Sequence, residues 1–325
     1  MIFDGHSDLW IDISSRKTKP GDRTFESAHL SSFREGQVHG GIFVFWADPP
    51  HDQNPKPRID QLLSVAIDEL TTSSEALKWI RSSQDYNPAD DQRIQIMLGM
   101  EGLSHIGRDI DLIDYYYNQG VRHASLTWNE ENALATGANG TLTRGLTKEG
   151  FQAVDRLEAL GMLLDVSHLN AKSFWDLASY ASGPFIASHS NARALCNHKR
   201  NLTDEQIKVI ASSGGLIGIN SFRDFVHKDR SKQNVDGIIR HITYMADLVG
   251  CEHIAFGFDY CDYLESDTLS GFTNSNQLSA GADGLNETAD SINLLTGLRN
   301  EGFAENEIAM IAHGNYERLI KKILK

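Results

Sequence analysis

Six residues of metal-binding type stand at the ends of short apolar runs in this chain. His6 and Asp8 close the first run, Glu101 follows another, His168 and His189 follow two more, and Asp259 closes the last. These side chains supply the nitrogen and oxygen donors that zinc and similar divalent ions take. His6 and Asp8 are two apart, so on an extended strand they share a face and can chelate one ion. His168 and His189 each follow a serine, at matching places past successive runs, and form a pair of imidazole donors. Glu101, with Gly102 leaving room beside it, can bridge two ions through its two oxygens. Together they describe a centre for two metal ions, whose chemistry is hydrolysis by an activated water. Asp259 fits a group that takes the water's proton and passes it to a leaving group. Taken singly, each residue has an ordinary structural explanation: a surface H-x-D pair, a turn glutamate, a hydrogen-bonded core histidine. Only the set as a whole points to a metal centre.

Positions 6 to 259 meet only if a fold brings the ends of the runs together. Eight short apolar runs, at 2–9, 41–46, 94–100, 121–127, 162–167, 185–188, 215–220 and 254–259, have the length and boundaries of buried strands. Helical periods separate several of them. Residues 59–80 carry Leu62, Leu63, Ala66, Ile67 and Leu70 on one stripe, 148–160 carry Phe151, Val154, Leu157 and Leu160, and 235–249 repeat the spacing. Thr203 and Gln206 stand at the reciprocal positions of a capping box. Alternating strands and helices predict parallel pairing through right-handed crossovers. Eight such units predict a closed (β/α)8 barrel of the TIM type, with an open doubly wound sheet as the alternative. The whole chain, 1–325, is expected to be one catalytic barrel ending in an amphipathic helix over 304–325. In such a barrel the C-terminal strand ends converge on one mouth, where active sites lie. Segments 48–58 and 263–287 are expected as long loops over that mouth.

Composition narrows the class. With 40% hydrophobic and 23% charged residues the chain is an ordinary globular protein. A net charge of −14 disfavours nucleic acid and anionic membrane as partners. Cys196, Cys251 and Cys261 show neither the CxxC spacing of a zinc ribbon nor a disulfide framework. The N-terminal MIFDGHSDLW lacks the regions of a secretory signal, and no apolar run reaches membrane-spanning length. The expectation is a reduced cytoplasmic protein without a membrane partner. His29, His39, His51, His105, His198, His227, His241, His253 and His313 lie in helical, loop or strand-entry contexts and are read as structural.

The matching stretches are DGHSDLW at 4–10, GMEGLSHIG at 99–107, GVRHASLTWNEENALATGA at 120–138, LLDVSHLN at 163–170 and ASHSNARALCNHKRNLTDEQI at 187–207. HIAFGFDY at 253–260 and HGNYERL at 313–319 complete the set. Together they resemble the membrane dipeptidase (renal dipeptidase) family of zinc peptidases, within the amidohydrolase-like barrels. The resemblance implies two zinc ions per chain, the first on His6 and Asp8, the second on His168 and His189, with Glu101 as the bridge. It implies Asp259 as the acid working with a bridging hydroxide, and Arg200 as the holder of the substrate's C-terminal carboxylate, a task suited to a guanidinium. It also implies a dipeptide substrate and a homodimer. One position departs: family members carry a histidine after Leu-Thr, where this chain has Trp128. An indole offers one N–H donor and neither a cation nor an acid, so either Trp128 or a neighbour such as Asn129 polarises the substrate, or activity on ordinary dipeptides is weak. The family's Asp-aromatic-Asp ending is altered to Asp259-Tyr260-Cys261-Asp262, which leaves Asp262 a candidate pocket residue. Besides the dipeptidase, two readings stand. One is an amidohydrolase acting on another carboxylate-bearing amide, lactone or ester, which Trp128 favours. The other is a non-catalytic binding barrel, against which the retained ligand set speaks.

Overall fold

The computed structural model describes residues 1–89, 91–264 and 280–325. Nine strands are described: β1 (Ile2–Ser7), β2 (Val38–Phe45), β3 (Leu77–Ile80), β4 (Ile94–Glu101), β5 (Val121–Ser125), β6 (Leu163–Asp165), β7 (Phe185–Ile186), β8 (Ile217–Ile219) and β9 (Ile254–Phe256). The strand pairs are parallel, in the order β7-β6-β5-β4-β2-β1-β9-β8. The ring closes through a parallel bridge between Ala187, just past β7, and Ile217. There the Ala187 N–H donates to Leu216 O at 2.9 Å and the Gly218 N–H to Ala187 O at 2.8 Å. Eight strands therefore form the expected (β/α)8 barrel, and each contains residues of one of the eight expected runs.

The ninth strand corrects the helical reading of 59–80. The helix spans Pro55–Thr72, and Leu77–Ile80 pairs instead with residues 94–97 of β4. One edge of β4 is taken by β2 over 95–100, so β3 and β5 share the other edge, β3 at 94–97 and β5 at 98–101. Leu77 and Ile80 are three apart, a spacing that suits a helical stripe, and four residues are too few to reveal the other period. The expected loop 48–58 is shortened as well, because Pro55 opens the helix, where a missing N–H costs nothing. Of the expected loop 263–287, residues 265–279 lie outside the described residues. Helices Lys148–Leu160 and Val235–Val249 match their expected bounds, and the Thr203–Gln206 capping box is formed in both directions. The C-terminal helix is Glu305–Ala309 and Asn315–Ile323 with a wider turn between them. Among the described residues no helix is long and apolar enough to cross a membrane.

Two apolar cores hold the barrel. Alternate residues of each strand point outward and pack under the helices, among them Ile2, Phe43, Phe45, Ile96, Leu98, Leu164 and Ile219. Their neighbours Phe3, Ile42, Val44, Met97, Leu163, Ile186, Leu216 and Ala255 fill the interior with Tyr316, Leu319, Ile320 and Leu324, so the C-terminal segment plugs the floor. Above this floor the interior becomes small and polar. Period-two alternation from Phe3 would turn His6 and Asp8 away from that interior. Asp4 pairs with Gly41 but Ser7 with Phe43, three steps against two, so β1 carries one extra residue. This bulge re-aims the strand end, as bulges beside active sites do.

A candidate metal centre at the barrel mouth

The bulge brings His6 over the end of β4. His6 Nε2 lies 3.4 Å from Glu101 Oε1 and 3.6 Å from Asp8 Oδ2. His168 Nε2 lies 2.8 Å and His189 Nε2 3.5 Å from the same glutamate oxygen, and the two Nε2 atoms are 2.8 Å apart. Three imidazoles from the ends of β1, β6 and β7 thus converge on one carboxylate oxygen. Donor atoms of His6, Glu101 and His189 form one compact trio, and those of His6, Asp8 and Asp259 another, each within 4.8 Å. His168 and Asp259 take left-handed backbone conformations, with φ of 71° and 57°. Outside glycine such geometry costs on the order of 1–3 kcal/mol and concentrates at functional sites. Here it turns both side chains from the strand ends toward the centre.

The electrostatics of the cluster fit a cation. Burial, reinforced by Arg200 and His6, holds the pKa of both His168 and His189 well below the usual imidazole value. Both rings are therefore neutral and can offer lone pairs. For His6 burial opposes the charge, but Glu101, Asp8 and Asp259 outweigh it and raise its pKa to about 10. Burial also pushes Glu101 and Asp259 up. Both ring nitrogens of His6 and Oδ1 of Asp8 are buried without a hydrogen-bond partner among the described residues. Buried polar atoms are normally satisfied, so neutral imidazoles, crowded carboxylates and orphaned donor atoms suit divalent ions.

Asp8, Glu101, His168 and Asp259 line a cavity of about 530 Å³ together with Trp46, Trp128, Asn129 and Arg200. Arg200 is buried, and Nη2 has no hydrogen-bond partner among the described residues. Burial lowers its pKa only to about 10, so it stays cationic at neutral pH. Trp128 stands 5.0 Å from Trp46 and 6.0 Å from His168, between ring centroids. Asn129 lines this cavity, and its Oδ1 lies 3.0 Å from His168 Nδ1, so it also buttresses a candidate ligand. Asp262 is exposed and is not among the cavity's lining residues, contrary to its candidacy.

The family model described as "Membrane dipeptidase (Peptidase family M19)" matches residues 1–325. The chain belongs to the membrane dipeptidase family. An uncharacterized protein of Klebsiella pneumoniae, from the pqqA 5' region, is 31% identical over 276 residues, 81% of this chain and 95% of that protein. An uncharacterized dipeptidase of Schizosaccharomyces pombe is 32% identical over 248 residues, 71% of this chain and 60% of that protein. The fold matches a metallo peptidase of Rhodobacter sphaeroides, solved with a phosphinate mimic of the dipeptide L-Ala-D-Ala, with a TM-score of 0.86. That match has 22% identity and covers 99% of each chain. The chain is thus a dipeptidase of this family, a hydrolase of peptide bonds.

Within this membrane dipeptidase fold, several residues around the centre escaped the sequence reading. Asn220, past β8, donates to Asp259 Oδ2 at 2.9 Å. Tyr263 Oη accepts the Asp8 N–H at 3.0 Å. Trp46 forms the wall against Trp128, and His198, read as structural, lines the cavity. His123 lies beneath the centre on Asp165. Position at a strand end was a usable signal for Asn220 and Trp46; nothing in sequence spacing pointed to His123.

Proposed function

We propose that the chain hydrolyses dipeptides carrying a free C-terminal carboxylate, with two zinc ions held by His6 and Asp8 on one side, His168 and His189 on the other, and Glu101 between them. When bound, the ions supply Lewis acidity and a water ionisable near neutral pH. Arg200, cationic and with an unpaired N–H in the cavity, binds the substrate carboxylate and so sets the scissile bond beside Glu101. Asp259 has Oδ2 engaged by Asn220, which leaves Oδ1 to take the proton from the attacking water and return it to the leaving amine. Trp46 and Trp128 wall the cavity, exclude water and pack against the substrate. The same reading takes the protein as a cytoplasmic homodimer without nucleic-acid or membrane partners.

The observation that carries the reading is Glu101 Oε1 within 3.5 Å of three imidazole nitrogens, in the cavity lined by Arg200. The test is hydrolysis of L,L and L,D dipeptides by zinc-loaded and chelated protein. The L,D set is included because the Rhodobacter sphaeroides protein holds a mimic of L-Ala-D-Ala. Cleavage that disappears on chelation and returns with zinc is the expected result. Zinc-replete protein that cleaves no dipeptide would overturn it. A second reading, hydrolysis of another carboxylate-bearing amide, lactone or ester, is favoured by Trp128, whose indole donates one N–H but acts neither as a cation nor as an acid. A substrate panel of such compounds separates the two.

A further inference from the structure

Beneath the centre, Asp165 accepts four hydrogen bonds, two on each oxygen. Oδ1 takes the backbone N–H groups of Ser167 at 2.9 Å and Ser188 at 3.0 Å. Oδ2 takes the Ser188 hydroxyl at 2.6 Å and His123 Nε2 at 3.1 Å. Burial works against the charge of this carboxylate, but the bonds from His123 and Ser188 outweigh it and hold its pKa down to about 2. An ionised carboxylate only accepts, so the one hydrogen of Ser188 Oγ is committed to Asp165. Ser188 Oγ also lies 2.7 Å from His189 Nδ1. With its hydrogen used, the hydroxyl can only accept there, and the proton of the neutral ring must sit on Nδ1. The Nε2 lone pair of His189 is then turned upward, toward Glu101 and His168.

The backbone keeps this arrangement in place. The Ser188 carbonyl oxygen is enclosed by Gly5, Gly218 and Gly257, and a Cβ on any of them would come closer to it than real Cβ atoms do. The His189 N–H donates to Ser167 Oγ at 3.3 Å. His123 is fully buried, and its place beside Gly99 leaves no room for a side chain there. None of Asp165, Ser188 and His123 lines the cavity, so substrate contact does not account for them.

We propose that Asp165 and Ser188 are positioning residues that fix His189 as the Nδ1–H tautomer and aim Nε2 at the ion shared with His168 and Glu101. The second half rests on the metal reading above; the tautomer does not. The two imidazoles are held differently: His168 leans on the neutral amide of Asn129, His189 on a hydroxyl backed by a buried carboxylate. Partners of this kind orient a ligand and raise its basicity, and their loss typically weakens metal binding 10–100-fold.

The test begins with the metal-free chain labelled with 15N-histidine, the His189 signals being assigned by their absence in His189→Gln. Long-range 15N–1H correlation is expected to show Nδ1 protonated and Nε2 not. An Nε2–H tautomer would overturn the proposal without any variant having to fold. Zinc affinity is then measured by chelator competition on wild type and Ser188→Ala. One of the two ions is expected to bind 10–100-fold more weakly in the variant while the other is unchanged. A Ser188→Ala protein with wild-type melting and wild-type affinity for both ions would overturn the positioning role. A wild-type chain with the expected tautomer that takes up no zinc overturns the metal reading and the aim of Nε2 at an ion, and leaves the fixed tautomer supported.

Discussion

Asn220 donates from its side-chain amide to Asp259 Oδ2 across 2.9 Å, and it is itself held on both sides. Its backbone N–H donates to Asn191 Oδ1 at 3.0 Å, and its own Oδ1 accepts the Phe222 N–H at 2.6 Å. Asn191 returns a bond to Asn220 O, also at 3.0 Å. The end of β8 thereby fixes a carboxylate that a left-handed backbone has already turned to the centre. Loss of a proton-transfer group costs about 10²–10⁴-fold in rate, so Asp259→Ala should lose kcat by that much. Its zinc content should stay at the wild-type value. Asn220→Ala keeps the carboxylate and loses its orientation; a fall in kcat of roughly tenfold with KM nearly unchanged is expected. Steady-state kinetics with metal analysis decides, and full turnover in Asp259→Ala would end its assignment as the proton carrier.

Arg200 should act on binding rather than on the chemical step. A hydrogen bond to a charged group contributes about 1.5–3 kcal/mol, roughly 10–150-fold in an equilibrium. Arg200→Met is expected to raise KM for dipeptides within that range. C-terminally amidated dipeptides should be poor substrates of the wild type, and on them the variant should perform like the wild type. Equal losses on both substrate sets would show that Arg200 holds the fold and not the carboxylate.

His241 gives the stability a pH dependence. Its Nδ1 accepts the Ala192 N–H at 3.1 Å and its Nε2 donates to Val226 O at 2.9 Å, so the folded site requires the neutral ring. Burial depresses its pKa from 6.5 to about 4. Between those values the unfolded chain binds the extra proton, so stability is lost as pH falls from about 6.5 to 4. The slope from this group approaches about 1.4 kcal/mol per pH unit. Urea midpoints across that window should fall more steeply for the wild type than for His241→Gln. Parallel curves would remove His241 from the account.

Gly257 is the tightest of the three glycines around the Ser188 carbonyl. Gly257→Ala forces that backbone to move, at a cost of about 1–3 kcal/mol or more. Thermal melting should drop, and zinc affinity should drop with it. The same substitution at Gly302, where nothing lies within 4 Å of the added carbon, should leave zinc affinity unchanged, although φ of 100° there adds strain. Unchanged zinc affinity in a folded Gly257→Ala protein would separate backbone packing from the geometry of His189.

The two classes of residue around the centre were not equally legible. His6, Asp8, Glu101, His168, His189 and Asp259 are readable because they stand where apolar runs end, and a parallel barrel gathers strand ends whatever lies between them. In the sequence Asn129 stands out only as a neighbour of Trp128, while the fold sets it against His168. Asp165 and His123 each lie inside an apolar run, with no local spacing that singles them out. Their partners lie on neighbouring strands, and no local spacing encodes a bond between the β5, β6 and β7 segments.

The amino-acid order by itself determined the alternation of eight buried runs with helical stripes, and hence the barrel, the ends of its strands and the donor types placed there. Those features are local: period, length and boundary residues decide them within a few positions. Tertiary structure decided the rest. The extra residue in β1 shows only as three steps of one strand set against two of its neighbour. Closure at Ala187 and Ile217, the ninth strand at the edge of β4 and the four-bond shell of Asp165 depend in the same way on backbones meeting from distant parts of the chain. So does the tautomer of His189, because a ring's proton is set by the partner across from it and not by its neighbours in sequence.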